Sequence, residues 1–463
     1  MKSIVEQSLS STKFMPFWLD SPDAPSASPA FSGSQEVDLV VIGGGFTGLW
    51  TAILAKEANP TWSIIVLEAG RVAHGASGRP GGIISTSVMH GLANEDRVFP
   101  DDIDILERLG MENLDGFKKA LADYGIDADV EWNGEMTIAV KPEHVADLKE
   151  EYELHLKHGH EVQFLDAEQT RKQLKSPMFV AGMWSQKRSG IINPAKLAWG
   201  LKAAAIKLGV QVHENSKMTE LSELADGMLV RTEGGKISAP KVFLATNAWH
   251  AGQRDIKRRI IAVRDHVLAT EPLSQEQLAR IGWGNRQGVY DTRTQLNYMR
   301  LTADNRVIFG GSVSYHFNGD TAPKCDARAD TYYSLAEAFY TTFPSLKDVR
   351  FSHAWGGPID YSMRFSVFFR KYFSGKVVYA GGYTGFGVAG SRFGASMGLG
   401  ILTNNPDPIY KLAIAIEPSG YIPPEPFRWI GAKITFAALS KVDEKGGWRR
   451  LWLNFVKVLG FPF

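Results

Sequence analysis

Gly43, Gly45 and Gly48 are spaced as G-x-G-x-x-G, directly after the apolar run Val37-Asp38-Leu39-Val40-Val41-Ile42. That spacing suits a pyrophosphate. The first glycine permits a tight turn, the second lets the backbone approach the phosphates, and the third lets the following helix pack on the strand. Phe46 and Thr47 open that helix, whose free N–H groups would face the phosphate charges. Glu68 ends the next apolar run, about 20 residues beyond Gly48, with Ala69 beside it. A carboxylate there accepts the hydroxyl protons of an adenosine ribose. A glycine-rich turn in an unrelated α/β protein is the competing reading, and the strand before, the helix after and Glu68 together weigh against it.

The fingerprint alone does not separate FAD from NAD; two further clusters do. Gly75-Ala76-Ser77-Gly78-Arg79-Pro80-Gly81-Gly82 offers small residues, backbone N–H groups, a hydroxyl and a cation near the expected pyrophosphate. Late in the chain lies Gly381-Gly382-Tyr383-Thr384-Gly385-Phe386-Gly387. Donors there suit the flavin edge that gains negative charge on reduction.

These residues need a frame. The run 37–42, a helix ending at Asn59-Pro60 and a strand over 64–67 form a β-α-β unit of about 30 residues. Residues 101–124 read as a helix, with Leu106, Leu109, Leu114, Phe117 and Leu121 on one face. A second helix is marked by Asn193 as cap, Pro194 in its first turn and Gly209 as its stop. Strand patterns fall at 130–140, 241–245, 263–270, 296–311 (with an Asp304-Asn305 turn) and 377–379. Nucleotide-binding pieces therefore alternate with strand-rich pieces. The expected fold is α/β plus α+β: a Rossmann-like FAD domain interleaved with an antiparallel-sheet substrate domain. The expected division is an N-terminal arm (1–36), extended rather than helix or strand; an FAD domain (37–90, 190–255 and 355–404); a substrate domain (91–189 and 256–354); and a helical tail (405–463). In the tail's second helix Trp448, Leu451, Trp452, Phe455 and Leu459 share a face. Docking of that face on the body is favoured over contact with a membrane or partner.

Composition removes several function classes. Lys plus Arg number 51 against 50 Asp plus Glu, a balance that gives nucleic-acid binding no support. The one cysteine, Cys325, excludes an intrachain disulfide framework and a Cys-rich metal site; no metal is expected. No apolar stretch reaches the ~20 residues of a membrane span, and the N-terminus lacks an apolar signal core. The expected location is the cytoplasm.

The chain resembles the FAD-dependent oxidoreductases that include glycine oxidase, D-amino-acid oxidase and sarcosine oxidase, and looks closest to the γ-glutamylputrescine oxidase-like branch. The carrying residues are 38–52 (DLVVIGGGFTGLWTA), 68–70, 75–82, 190–194, 243–249 (FLATNAW), 355–357 and 379–390 (YAGGYTGFGVAG). The resemblance implies a non-covalent FAD held by Gly43, Gly45, Phe46, Thr47, Gly48, Glu68, Ala69, Gly75, Ala76, Ser77, Gly78, Arg79, Gly81 and Gly82. It adds Met218, Thr246, Asn247 and Trp249, and beside the flavin ring Gly385, Phe386, Gly387 and Val388. The family's two carboxylate anchors are missing. No arginine follows Trp355-Gly356, and Val388-Ala389 stands where sarcosine oxidases carry lysine. A simple α-amino acid is therefore not the expected best substrate.

The implied reaction oxidises a C–H bond next to nitrogen in a small primary or secondary amine, by hydride transfer to the flavin. The imine formed hydrolyses to a carbonyl. Such chemistry asks for positioning and a water-poor aromatic pocket more than for acids and bases. The pocket candidates are Trp355, Tyr383, Phe386, Tyr298 and Trp132, with Arg300 as a holder of an acidic substrate tail or a structural ion pair; no catalytic base is identified. Oxygen is the expected electron acceptor. The alternatives are a dehydrogenase feeding a quinone or carrier protein and a subunit whose flavin is not catalytic.

Overall fold

The computed structural model describes residues 2–326 and 328–461. Met1 and residues 462–463, the outermost parts of the expected arm and tail, lie outside them. A six-stranded sheet runs in the order 368–372, 377–381, 241–244, 39–42, 64–67, 211–213. Its strands are parallel except for the edge strand Phe368–Tyr372. Leu39–Ile42 and Ile64–Leu67 are buried throughout, as parallel strands covered on both faces must be. The helix Phe46–Ala58 is apolar on nearly all sides because it packs between this sheet and the helices Pro194–Lys207 and Gly387–Leu402. Asn193 caps the first of these through its side chain, with Pro194 in the first turn.

An eight-stranded sheet forms the other layer, in the order 351–362, 260–270, 307–315, 298–301, 288–291, 135–139, 181–185, 162–166. It is antiparallel apart from the pair Gly288–Asp291 and Glu135–Ala139. The sequence division at residue 355 cuts through its strand Phe351–Ser362, which pairs along its length with Ile260–Thr270. That strand therefore belongs structurally to the large sheet.

The N-terminal arm departs from expectation. Lys2–Leu9 is a helix, because Val5 is fully buried and its turn packs on the helix Ala329–Thr342. Gly33–Glu36 is a strand parallel to Gly235–Ala239. Between them the chain runs as a strap: Trp18 is buried and donates to the Pro80 carbonyl at 2.9 Å, and Ser28 N–H donates to Glu214 at 2.5 Å. The tail holds the two expected helices, Phe427–Leu439 and Trp448–Val458. Its second helix docks by Leu453 and Val456, while Trp448, Leu451, Phe455 and Leu459 stay exposed. The docking face is thus rotated from the expected one, because the first tail helix, not the body, is its main support.

Candidate active site

A cavity of about 1900 Å³ lies between the two sheets. Pockets for drug-sized ligands run to about 1,000 Å³, so this one has room for a dinucleotide and a second molecule. At one end sits the fingerprint turn. Gly43 has φ +111°, and a β-carbon there would strike the Ala245 carbonyl on the neighbouring strand's end; one at Gly48 would strike the Gly43 carbonyl. Glycine is therefore required both for the turn and for the seating of the helix. Gly43, Gly45, Phe46 and Thr47 line the cavity, whereas Gly48 is inside the packing beneath it.

Glu68 lines the same end and accepts from Gly44 N–H at 2.7 Å and Gly70 N–H at 2.8 Å. Burial raises its pKa, and those backbone donors oppose the rise. Ser77 Oγ accepts from Phe46 N–H at 2.9 Å, at the start of the helix. Ala69, Gly75, Ala76, Gly81, Gly82, Met218, Thr246, Asn247 and Trp249 line the cavity as well. Gly78 does not: a β-carbon there would strike the Ala73 carbonyl, so it packs the loop instead. Arg79 reaches the cavity, but its guanidinium is tied to the Gly356 carbonyl, the His74 carbonyl and Asp326.

This end fits FAD. The glycines leave backbone exposed where side chains would fill the cradle, and Asn247 Oδ1 is a buried acceptor without a protein partner among the described residues. Gly385, Phe386, Gly387 and Val388 line the wall at the start of the helix Gly387–Leu402. Tyr383 ties the two glycine clusters together, its hydroxyl accepting from Thr47 Oγ1 at 2.9 Å.

Beyond the cradle the cavity becomes aromatic. Tyr290 stacks on Phe386 with ring centroids 6.4 Å apart, and His90 lies 4.1 Å from Phe386. Burial depresses His90 to about 4, so the ring is neutral. Tyr298 donates to Asp265 Oδ2 at 2.6 Å. Burial pushes Asp265 up to about 7. Asp360 reaches about 7 for the same reason, with Oδ1 unpartnered.

Three pocket candidates lie elsewhere. Trp355 is buried in a core cluster and donates to the Arg79 carbonyl at 2.9 Å, bracing the cavity from behind. Arg300 is buried against Trp18 and donates to the Ile192 carbonyl at 2.9 Å and the Gly82 carbonyl at 3.4 Å. Its guanidinium fixes the loop rather than facing a substrate. Trp132 is 38% exposed, with Lys118 over its ring at 4.7 Å, next to Glu131, which bridges to Ile191. Sequence reasoning missed Asp265, Tyr290, His90 and Asp360. Only Asp265, a charge inside an apolar strand pattern, carried a local signal.

Residues 38–400 match the DAO family, described as FAD dependent oxidoreductase. The chain is 31% identical over 385 residues to "Probable oxidoreductase OrdL" of Haemophilus influenzae, covering 81% of this chain and 84% of that protein. It is 32% identical over 368 residues to "Gamma-glutamylputrescine oxidoreductase" of Escherichia coli, covering 76% and 80%. Glycine oxidase from Geobacillus kaustophilus shares the fold, with TM-score 0.67 and 18% identity over 80% of this chain and 95% of that one. Family match, relatives and cradle agree: the chain belongs to the DAO family of FAD-dependent oxidoreductases.

Proposed function

We propose that this protein oxidises a primary or secondary amine at the carbon next to nitrogen, with dioxygen as the final acceptor. The observation that carries the reading is the continuity of the dinucleotide cradle with an aromatic chamber walled by Tyr290, Phe386, Tyr298 and His90. Bound FAD supplies the two-electron acceptor for a hydride from that carbon. The chain's residues prepare the amine. Asp265, with a pKa near 7, accepts a proton from the substrate ammonium and leaves the nitrogen lone pair free. Tyr298 orients that carboxylate. The aromatic walls exclude water and fix the C–H bond. The imine formed hydrolyses to a carbonyl compound, and dioxygen is reduced to hydrogen peroxide.

The relative named gamma-glutamylputrescine oxidoreductase and the carboxylate anchors missing after Trp355-Gly356 and at Val388-Ala389 support an amine over a simple α-amino acid. The test is turnover of an amine panel in air with peroxide and carbonyl assayed together. Equal yields of both support the reading; carbonyl without peroxide removes dioxygen as acceptor. A second reading, a dehydrogenase that feeds a membrane quinone, is favoured by the exposed Trp448, Leu451, Phe455 and Val458 beside Arg449, Arg450 and Lys457.

A further inference from the structure

Away from the cradle the cavity continues into an acidic arm. The helix His144–Lys157 turns Asp147, Glu151 and His155 towards it at helical spacing. From the opposite wall the strand Glu135–Ala139 contributes Glu135. The cation in the arm, Arg188, is already paired with Glu107, which also meets His160 at 2.6 Å. Neither Glu135 nor Glu151 has a hydrogen bond or ion pair from its side chain to any described residue.

Glu135 is partly buried and lines the cavity. Burial pushes it up to about 8, with the charge of Glu151 adding to the rise. A second observation is independent of the carboxylates. Tyr290, one strand from Glu135 and lining the same cavity, has a hydroxyl with no partner among the described residues. Its ring stacks on Phe386, so Tyr290 joins the flavin wall to the arm. An unpaired carboxylate drawn partly out of water gains when a cation meets it, and an aromatic face beside it adds attraction for the same charge. No group of His, Cys, Asp and Glu among the described residues is arranged to hold a metal ion.

We infer that the arm is a subsite for a second, non-reacting ammonium group, held by Glu135 and Glu151 beside Tyr290, so that the substrate is a diamine-type compound. The inference rests on the amine reading above and names the substrate class of that site. Two strand spacings separate Tyr298 from Glu135 in the sheet order, or roughly 10 Å. An extended linear diamine spans such a gap.

The test compares hexamethylenediamine with hexylamine on the FAD-loaded protein, as wild type, Glu135→Gln and Glu151→Gln. Binding is read by calorimetry and reduction by anaerobic bleaching of the flavin. The wild type should bind the diamine at least about tenfold more tightly, and each variant should lose most of that preference, as for loss of a buried charge partner. Melting curves serve as the folding control; both variants should melt no lower than wild type, because each replaces a carboxyl that has no protein partner among the described residues. Equal binding of both amines by wild type, or an unchanged preference in both folded variants, overturns the inference. Preferential diamine binding without bleaching keeps the subsite and removes the amine-oxidation reading. Bleaching without any diamine preference does the reverse.

Discussion

Replacing Tyr298 by Phe isolates one hydrogen bond beside the reaction chamber. A β-carbon at Gly81 or at Gly310 would run into the Tyr298 ring, so the ring is clamped from both sides and phenylalanine keeps its place. Only the donor to Asp265 Oδ2, at 2.6 Å, is lost. Burial holds Asp265 near 7, and the Tyr298 hydroxyl is the largest influence opposing that rise, ahead of the His266 backbone N–H. A hydrogen bond to an ionised group contributes about 1.5–3 kcal/mol. One pH unit corresponds to about 1.4 kcal/mol, so Asp265 should titrate roughly 1–2 units higher in the variant. The assay is the pH dependence of anaerobic flavin reduction by an amine substrate. Wild type should inflect near 7, Tyr298→Phe about 1–2 units higher, and Asp265→Asn should lose the inflection. An unmoved inflection in the first variant, retained in the second, would refute Asp265 as the titrating group. Stability follows the same linkage. A carboxyl raised in the folded state contributes stability that is present below its unfolded pKa and lost as pH rises through about 7. Asp265→Asn should therefore melt higher than wild type above neutral pH, and the gap should close in acid.

Gly45→Trp should abolish FAD binding while far-ultraviolet circular dichroism stays native, since Gly45 lines the cradle at the start of the helix; full flavin content in that variant would count against the site. Asp326→Ala leaves Arg264, which is 1% exposed, and Arg79 without their shared carboxylate. Urea unfolding should show a loss of about 3–5 kcal/mol, and a change below about 1 kcal/mol would show the pair to be unimportant. A chain ending at Pro424 lacks both tail helices, whose residues Trp452, Val456 and Phe436 wall the cavity. Its flavin should be quenched more strongly by iodide than that of the full chain; equal quenching would mean that the tail does not cover the cofactor.

The parts of this fold that were legible in the sequence carry their signals locally. The turn Gly43–Gly48 with Glu68 lies within one β-α-β unit, and the Asn193 cap with Pro194 within one helix start, so spacing alone reveals them. The chamber depends on long-range pairing instead. Glu135, Tyr290, Tyr298 and Asp265 come from four strands brought together by sheet order, and no local pattern marks them as neighbours. Asp147, Glu151 and His155 have the spacing of one helix face, which in sequence reads as a solvated stripe; only the opposite wall turns it inward. Trp355 and Arg300 fail for a related reason. Their motifs lie close to the cradle, but the side chains do not line it and bond instead to the Arg79 carbonyl and to the Ile192 and Gly82 carbonyls. Side-chain direction in a strand alternates residue by residue, so a motif's place in the fold does not decide which of its residues meets the ligand.

The central claim, an FAD enzyme that oxidises amines, is tested most directly by the absorbance spectrum of the purified protein before and after anaerobic addition of an amine panel. The account predicts a flavin spectrum that one amine bleaches and that air restores. A flavin that no amine reduces would contradict the amine chemistry, and a colourless protein that FAD cannot reconstitute would contradict the claim as a whole.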